Sequence, residues 1–313
     1  MAATHPELRA IRFLPGFSWG PRLTAVLRRA KPRPADPGPD VLVREVQLPG
    51  AGGNPLVSVR LLQPALRKGP MPLLLWVHGG GLIMGSPEQD DRTNMAFVRS
   101  LGVTVAAVRY RLAPGAHAPA AAEDAYTALV GLAARADELG VDPSRIAIGG
   151  ASAGAGLAAA AALMAHDRPG PEPMFQLLVY PMLDDRTVTR TDMDTRDVHV
   201  WTPGSNRYGW TSYLGQEPGG ADVSPYAAPA RREDLRGLPP AWIGVGSNDL
   251  FHDEDLEYAR RLRSAGVDCT VQVVPGAFHG FDALFPKAEV SRRFWRDQAA
   301  ALDEAWSDVP TAR

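Results

Sequence analysis

The chain carries one cysteine, Cys269, so no disulfide can form within it and a reducing, cytoplasmic setting is the expectation. Cys269 opens the apolar run 269–274, where a small core side chain is the simpler reading than a nucleophile. Long hydrophobic runs are also missing. The stretch Ala155 to Ala165 falls short of the roughly 20 residues that cross a bilayer, and no N-terminal apolar segment resembles a secretory signal. No membrane partner is expected. Charge of one sign is not in excess: 33 Lys and Arg face 35 Asp and Glu, a net −2, which offers no general attraction for nucleic acid. Neither G-x-x-x-x-G-K-[ST] nor H-E-x-x-H occurs, so nothing suggests a metal or another cofactor.

With 313 residues, 45% of them hydrophobic, the chain can bury a large core in one or two domains. Lys31 to Pro39 holds four prolines in nine residues, a stiff connector that separates residues 1–38 from the body, 39–313. Ahead of it, Phe13-Leu14-Pro15-Gly16-Phe17-Ser18-Trp19 reads as a segment that packs on something. Beyond it, apolar runs alternate with helical patterns. Strands are expected at 73–77, 103–108, 145–148, 175–180, 242–246 and 271–274. Helices are expected at 120–139, 153–166, 253–265 and about 287–306. Continuous apolar strands between helices imply an α/β fold with a mostly parallel central sheet covered on both faces. Residues 186–236 break the rhythm, with Trp201, Tyr208, Trp210, Tyr213 and Tyr226 among Gly, Pro and charged residues. They either cover a pocket or form an irregular connection packed on the sheet edge.

Gly150-Ala151-Ser152-Ala153-Gly154 matches G-x-S-x-G between an expected strand and an expected helix. A tight turn there holds the serine in a strained backbone, with Oγ exposed above the sheet. The helix N-terminus then aims N–H groups at a developing anion. The bland reading is a small-residue helix cap. His78-Gly79-Gly80-Gly81 follows another strand, and its glycines can turn N–H groups toward a substrate oxygen. With the amide of Ala153, those of Gly80 and Gly81 could form an oxyanion hole, while His78 and Gly79 support the loop.

A serine nucleophile needs a base. Of the seven histidines, His279 lies on a loop after an expected strand, where ligands gather in α/β sheets. Its neighbours Phe278 and Phe281 are expected to shield the ring. The orienting acid should fall between serine and histidine, and Asp249 directly follows the strand 242–246. Asp253 is the fallback. It and its neighbours Glu254 and Asp255 also suit the first turn of a helix.

These motifs, with Tyr110-Arg111-Leu112-Ala113-Pro114, Tyr180-Pro181-Met182 and His279-Gly280-Phe281, resemble the hormone-sensitive-lipase-like esterases, bacterial family IV, over about 70 to 285. The resemblance implies an α/β-hydrolase fold without cofactor. It also implies a cap built from residues 1–38 and part of 186–236, and hydrolysis of small, short- to medium-acyl esters through an acyl-enzyme. Ala151, Ala155 and Gly115 depart from the usual pattern but remove no catalytic group. Oligomeric state is left open, a homodimer among the options. A binding module that keeps the pocket without catalysis is the main rival, and the presence of His279 argues against it. A nucleotide enzyme, suggested by Gly154-Ala155-Gly156-Leu157-Ala158-Ala159, is the weaker one. Those glycines come one turn too late, and Gln176 stands where an acid would be needed.

Overall fold

Along the inner strands, residues on both sides are apolar, so each strand must be covered twice. Leu73, Leu75 and Val77 enter one hydrophobic cluster, while Leu74 and Trp76 enter another on the opposite face. A computed structural model describes residues 3–13, 18–28, 33–50, 54–67 and 69–307. The expectations at 14–17 and 31–32 lie outside these. Among the described residues there are eight strands: β1 Val41–Leu48, β2 Val57–Pro64, β3 Met71–Val77, β4 Thr104–Arg109, β5 Val141–Ala151, β6 Phe175–Val179, β7 Ala241–Gly246 and β8 Cys269–Val274. They form one sheet in the order β1-β2-β4-β3-β5-β6-β7-β8. The β1–β2 and β2–β4 pairs are antiparallel, and β4 through β8 run parallel.

The helices are α1 Pro21–Leu27, α2 Asp91–Leu101, α3 Ala120–Ala134, α4 Ala136–Leu139, α5 Ala153–Asp167, α6 Pro203–Leu214, α7 His252–Ser264, α8 Phe281–Leu284 and α9 Glu289–Ser307. Residues of α3, α5 and α7 build one cluster, and those of α2 and α9 the other. The small side chains of α5 bring it close to its neighbours: a Cβ at Gly156 would lie 2.1 Å from the Met182 carbonyl oxygen. No helix among the described residues is long and apolar enough to cross a membrane.

Several boundaries differ from expectation. The helix expected over 120–139 breaks at Arg135 into α3 and α4. The strand expected at 145–148 extends over 141–151, because Met71 of β3 pairs with Val141 at one end and β6 carries the ladder on to Ala151 at the other. β1 and β2 escape pattern reading, since β1 is an edge strand with charged residues, including Arg44 and Glu45. The amphipathic α2 was also missed. Gly266 takes the left-handed conformation just beyond α7, with φ +80°, as a helix-ending glycine should.

The described parts of residues 1–38 do not dock together. Residues 3–13 dock against the lower part of the body, where His5 N–H donates to the Gly276 carbonyl and Leu8 and Ile11 are buried. Residues 18–28 instead meet residues 200–208. The stretch 186–236 divides too. Its later part is core, with Ala227, Ala228 and Ala230 buried and Arg231 paired to the fully buried Asp185.

Candidate active site

Four loops at the carboxyl ends of β3, β5, β7 and β8 converge. The turn from β5 into α5 is held by backbone: Ser152 N–H donates to Val179 O at 2.8 Å, and Ser152 O accepts from Gly156 and Met182. Ser152 sits at φ 58°, ψ −123°, the strained elbow that the motif implies. Both motif glycines are required by proximity. A Cβ at Gly150 would stand 2.4 Å from Val77 O, and one at Gly154 2.0 Å from the same atom.

The loops after β7 and β8 are tied together. Ser247 N–H donates to Val274 O, Asn248 N–H to Ala277 O, and Gly276 N–H to Ser247 Oγ. A Cβ at Gly246 would come within 2.2 Å of Ala277 O, which makes glycine necessary there. This stitching fixes Asp249 against His279. His279 Nδ1–H donates to Asp249 Oδ2 at 2.8 Å, and Ser152 O–H donates to His279 Nε2 at 2.8 Å. All three residues are buried. The other Asp249 oxygen accepts from Phe251 N–H at 2.9 Å. The fallback acid Asp253 lies apart, its side chain 55% exposed and paired with Arg190 and His252.

The loop after β3 leans on the elbow. A Cβ at Gly79 would lie 3.0 Å from Ala151 O and 3.5 Å from Ser152 Cβ. Gly80 and Gly81 adopt φ +127° and +59°. Among the described residues, the N–H groups of Gly80, Gly81 and Ala153 donate no hydrogen bond within the chain. His78 is buried, its Nδ1–H donating to Gly79 O at 2.8 Å and its ring stacked on Tyr110 at 4.2 Å. Burial holds its pKa down at about 4, so it is a neutral prop for the loop near neutral pH.

A family model described as alpha/beta hydrolase fold matches residues 74–283. Carboxylic ester hydrolase LipN of Mycobacterium tuberculosis is 35% identical over 258 residues, 80% of this chain and 68% of that protein. An acetyl-hydrolase of Streptomyces hygroscopicus is 33% identical, over 70% of this chain and 71% of that one. The solved structure of a bacterial heroin esterase is 39% identical with a TM-score of 0.88, covering 97% of this chain and 98% of the other. The chain belongs to the α/β-hydrolase family, in its hormone-sensitive-lipase-like branch.

Within this hydrolase fold, the rings around His279 are not the ones its sequence neighbours suggested. Phe278 packs on His199 and Phe285, and Phe281 on Phe294. The imidazole is instead flanked by Tyr180 at 4.8 Å, Phe251 at 5.2 Å and Trp201 at 6.4 Å between ring centres. Backbone direction explains the swap, because residues beside a loop histidine point away from it. Tyr180 follows β6 with φ 37°, and its hydroxyl donates to Asp282 Oδ1 at 2.9 Å. Nothing in the sequence marked it beyond its place in the Tyr-Pro-Met motif.

Glu254 was likewise unassigned beyond a helix first turn. It is buried and accepts from Leu183 N–H, Asp184 N–H and the Thr187 hydroxyl, tying the chain after β6 to α7. Above the loop after β3 stands Trp201, in such close contact that a Cβ at Gly81 would lie 1.9 Å from its Cη2. Trp201 Nε1–H donates to Asn206 Oδ1 at 3.2 Å in α6. Residues 18–28 brace that part. Trp19 N–H donates to Ser205 Oγ, Trp19 Nε1–H to Val200 O, and Ser18 Oγ meets Thr202 Oγ1.

Proposed function

We propose that the chain hydrolyses carboxylic esters through an acyl-enzyme, with Ser152 as nucleophile, His279 as base and Asp249 as the orienting acid. The observation that carries this reading is the chain of two 2.8 Å hydrogen bonds from Asp249 through His279 to Ser152. Oγ attacks the ester carbonyl carbon while His279 Nε2 takes the hydroxyl proton, and Asp249 stabilises the imidazolium. The oxyanion is met by the N–H groups of Gly80, Gly81 and Ala153, whose lack of partners among the described residues supports this role. As the carbonyl re-forms, the carbon–oxygen bond to the alcohol breaks and His279 returns the proton to the leaving oxygen. Water then gives a proton to His279 and attacks the acyl carbon; as the carbonyl re-forms, the bond from that carbon to Ser152 Oγ breaks, His279 returns the proton to Oγ, and the acid leaves.

Residues 18–28 and 200–214 serve as a cap over this site. Trp201 narrows the space beside Gly81, which favours small, short- to medium-acyl esters, and a relative named acetyl-hydrolase is in keeping with that. A cytoplasmic setting fits the single buried cysteine.

The test is labelling with a fluorophosphonate and turnover of p-nitrophenyl esters from acetate to palmitate. One adduct at Ser152 and a rate maximum at short acyl length are expected. Ser152→Ala should lower turnover by about 10⁶. An Ala variant with undiminished hydrolysis removes Ser152 as nucleophile, and a maximum at palmitate removes the short-acyl reading.

A further inference from the structure

Behind the serine elbow, on the face covered by α2 and α9, lies a cavity of about 890 Å³, within the range of small-molecule sites. Neither Ser152 nor His279 lines it. Ala151, Val179 and Tyr180 form its inner wall. Among the described residues, two acids of that cavity form no ion pair, and one further polar side chain forms no hydrogen bond. Asp90 accepts from Trp76 Nε1–H at 2.8 Å and Asp282 from the Tyr180 hydroxyl. Both acids are half-buried, and among the described residues neither forms an ion pair. The third is Gln298 of α9, which is 2% exposed, lines the cavity and has no hydrogen-bond partner among the described residues.

The cations nearby do not answer these acids. Arg109 is engaged by Glu88, and Arg99 by Asp40. Arg33 and Arg92 stand exposed at the mouth. Burial pushes the Asp90 carboxyl up to about 6, against the hydrogen bond from Trp76, and Asp282 raises it further. Among the described residues, no three side chains of His, Cys, Asp or Glu come together as a metal site. Met95, Trp76 and Val179 supply apolar wall beside the acids.

We infer that this cavity binds a small organic cation, a primary ammonium on a short apolar stem, held by Asp90 and Asp282 with Gln298 as a further hydrogen-bonding partner. The ammonium brings three N–H donors and a charge, which two carboxylates and one amide oxygen can accept, while the stem lies against Met95 and Val179. The site shares the Tyr180 wall with the imidazole of His279, but neither Ser152 nor His279 lines it.

Calorimetric titration of the full chain near pH 7.5 tests this, with n-butylammonium chloride as probe and n-butanol and sodium butyrate as controls at equal ionic strength. Saturable binding of the ammonium alone is expected. Asp90→Asn and Asp282→Asn should each weaken it about ten-fold or more, and Gln298→Leu several-fold. The Leu variant keeps the test decisive if an Asn variant fails to fold. Ser152→Ala should bind the probe as the parent does. The inference is overturned by butanol or butyrate binding as well as the ammonium, by no saturation up to about 100 mM, or by unchanged binding in the folded variants. Loss of binding in Ser152→Ala would also overturn it, by moving the cation into the ester site.

Discussion

Below Ser152 lie strand ends, and above it lie residues 18–28 and 200–214, and the two are held by different means. The lower part is stitched by backbone hydrogen bonds between adjacent loops, Asn248 to Ala277 and Ser247 to Val274, and by glycines that admit no Cβ. In the upper part, residues 200–214 are rooted in the core by Trp201, Trp210 and Tyr213, whereas residues 18–28 are held to them by side-chain bonds, several partly exposed: Trp19 to Ser205, Ser18 to Thr202, Thr24 to Tyr208. Each such bond contributes about 0.5–1.5 kcal/mol net, so residues 18–28 can open at a cost far below global unfolding. In the proposed mechanism, proton transfer needs a fixed triad, whereas substrate entry needs a cover that yields. The division of labour follows from those two demands.

If the lower part is the fixed one, the largest effect should come from its acid. Asp249→Asn should lower kcat by about 10⁴ with little change in KM for p-nitrophenyl acetate, because the imidazole loses its orienting anion. A fall in kcat under ten-fold would show that the acid is elsewhere. Gly81→Ala joins the two parts. Its methyl would meet the Trp201 ring, and its φ of +59° disfavours any side chain, so about 10²-fold loss of kcat/KM is expected. Gly81→Ala combined with Trp201→Ala should recover part of it. No recovery would mean that the backbone, not the cover, sets the geometry there.

His78 gives a third, smaller test through pH. Its folded pKa near 4 lies below the ordinary 6.5, so the unfolded chain binds the extra proton between those values. The contribution is fully present above about pH 6.5 and is lost as pH falls toward 4, by at most about 3 kcal/mol. Thermal melts of the parent should lose stability across that window more steeply than those of His78→Asn. Parallel curves would refute the assignment. The smallest effect is expected in the cover itself. Ser205→Ala removes the acceptor for Trp19 N–H and should cost about 1 kcal/mol, seen as faster hydrogen exchange at Trp19 with kcat unchanged.

The parts of this site that could be read from residues alone were those with strong local constraints. Ser152 needed small neighbours at 150, 151, 153 and 154, and the glycines at 79–81 followed an apolar strand, so each announced its turn. The proposed base His279 and acid Asp249 could be placed because chain order and strand ends restrict where such a pair can stand. Tyr180, Phe251 and Trp201 were not, because their meeting around the imidazole joins stretches far apart in the chain. Phe278 and Phe281, adjacent in sequence, turned away. The same limit hid β1 and β2, whose pairing is decided by the partner strand rather than by their own alternation.

Local pattern determined the parallel α/β sheet, the elbow, the glycine loop and the order serine, acid, histidine, because each depends on conformations that few residues tolerate. Tertiary structure alone decided which rings shelter His279, how residues 18–28 brace the cover, and that two carboxylates and an unpartnered amide share one cavity. Those depend on side chains from separate elements meeting across space, and no short window of sequence records such a meeting.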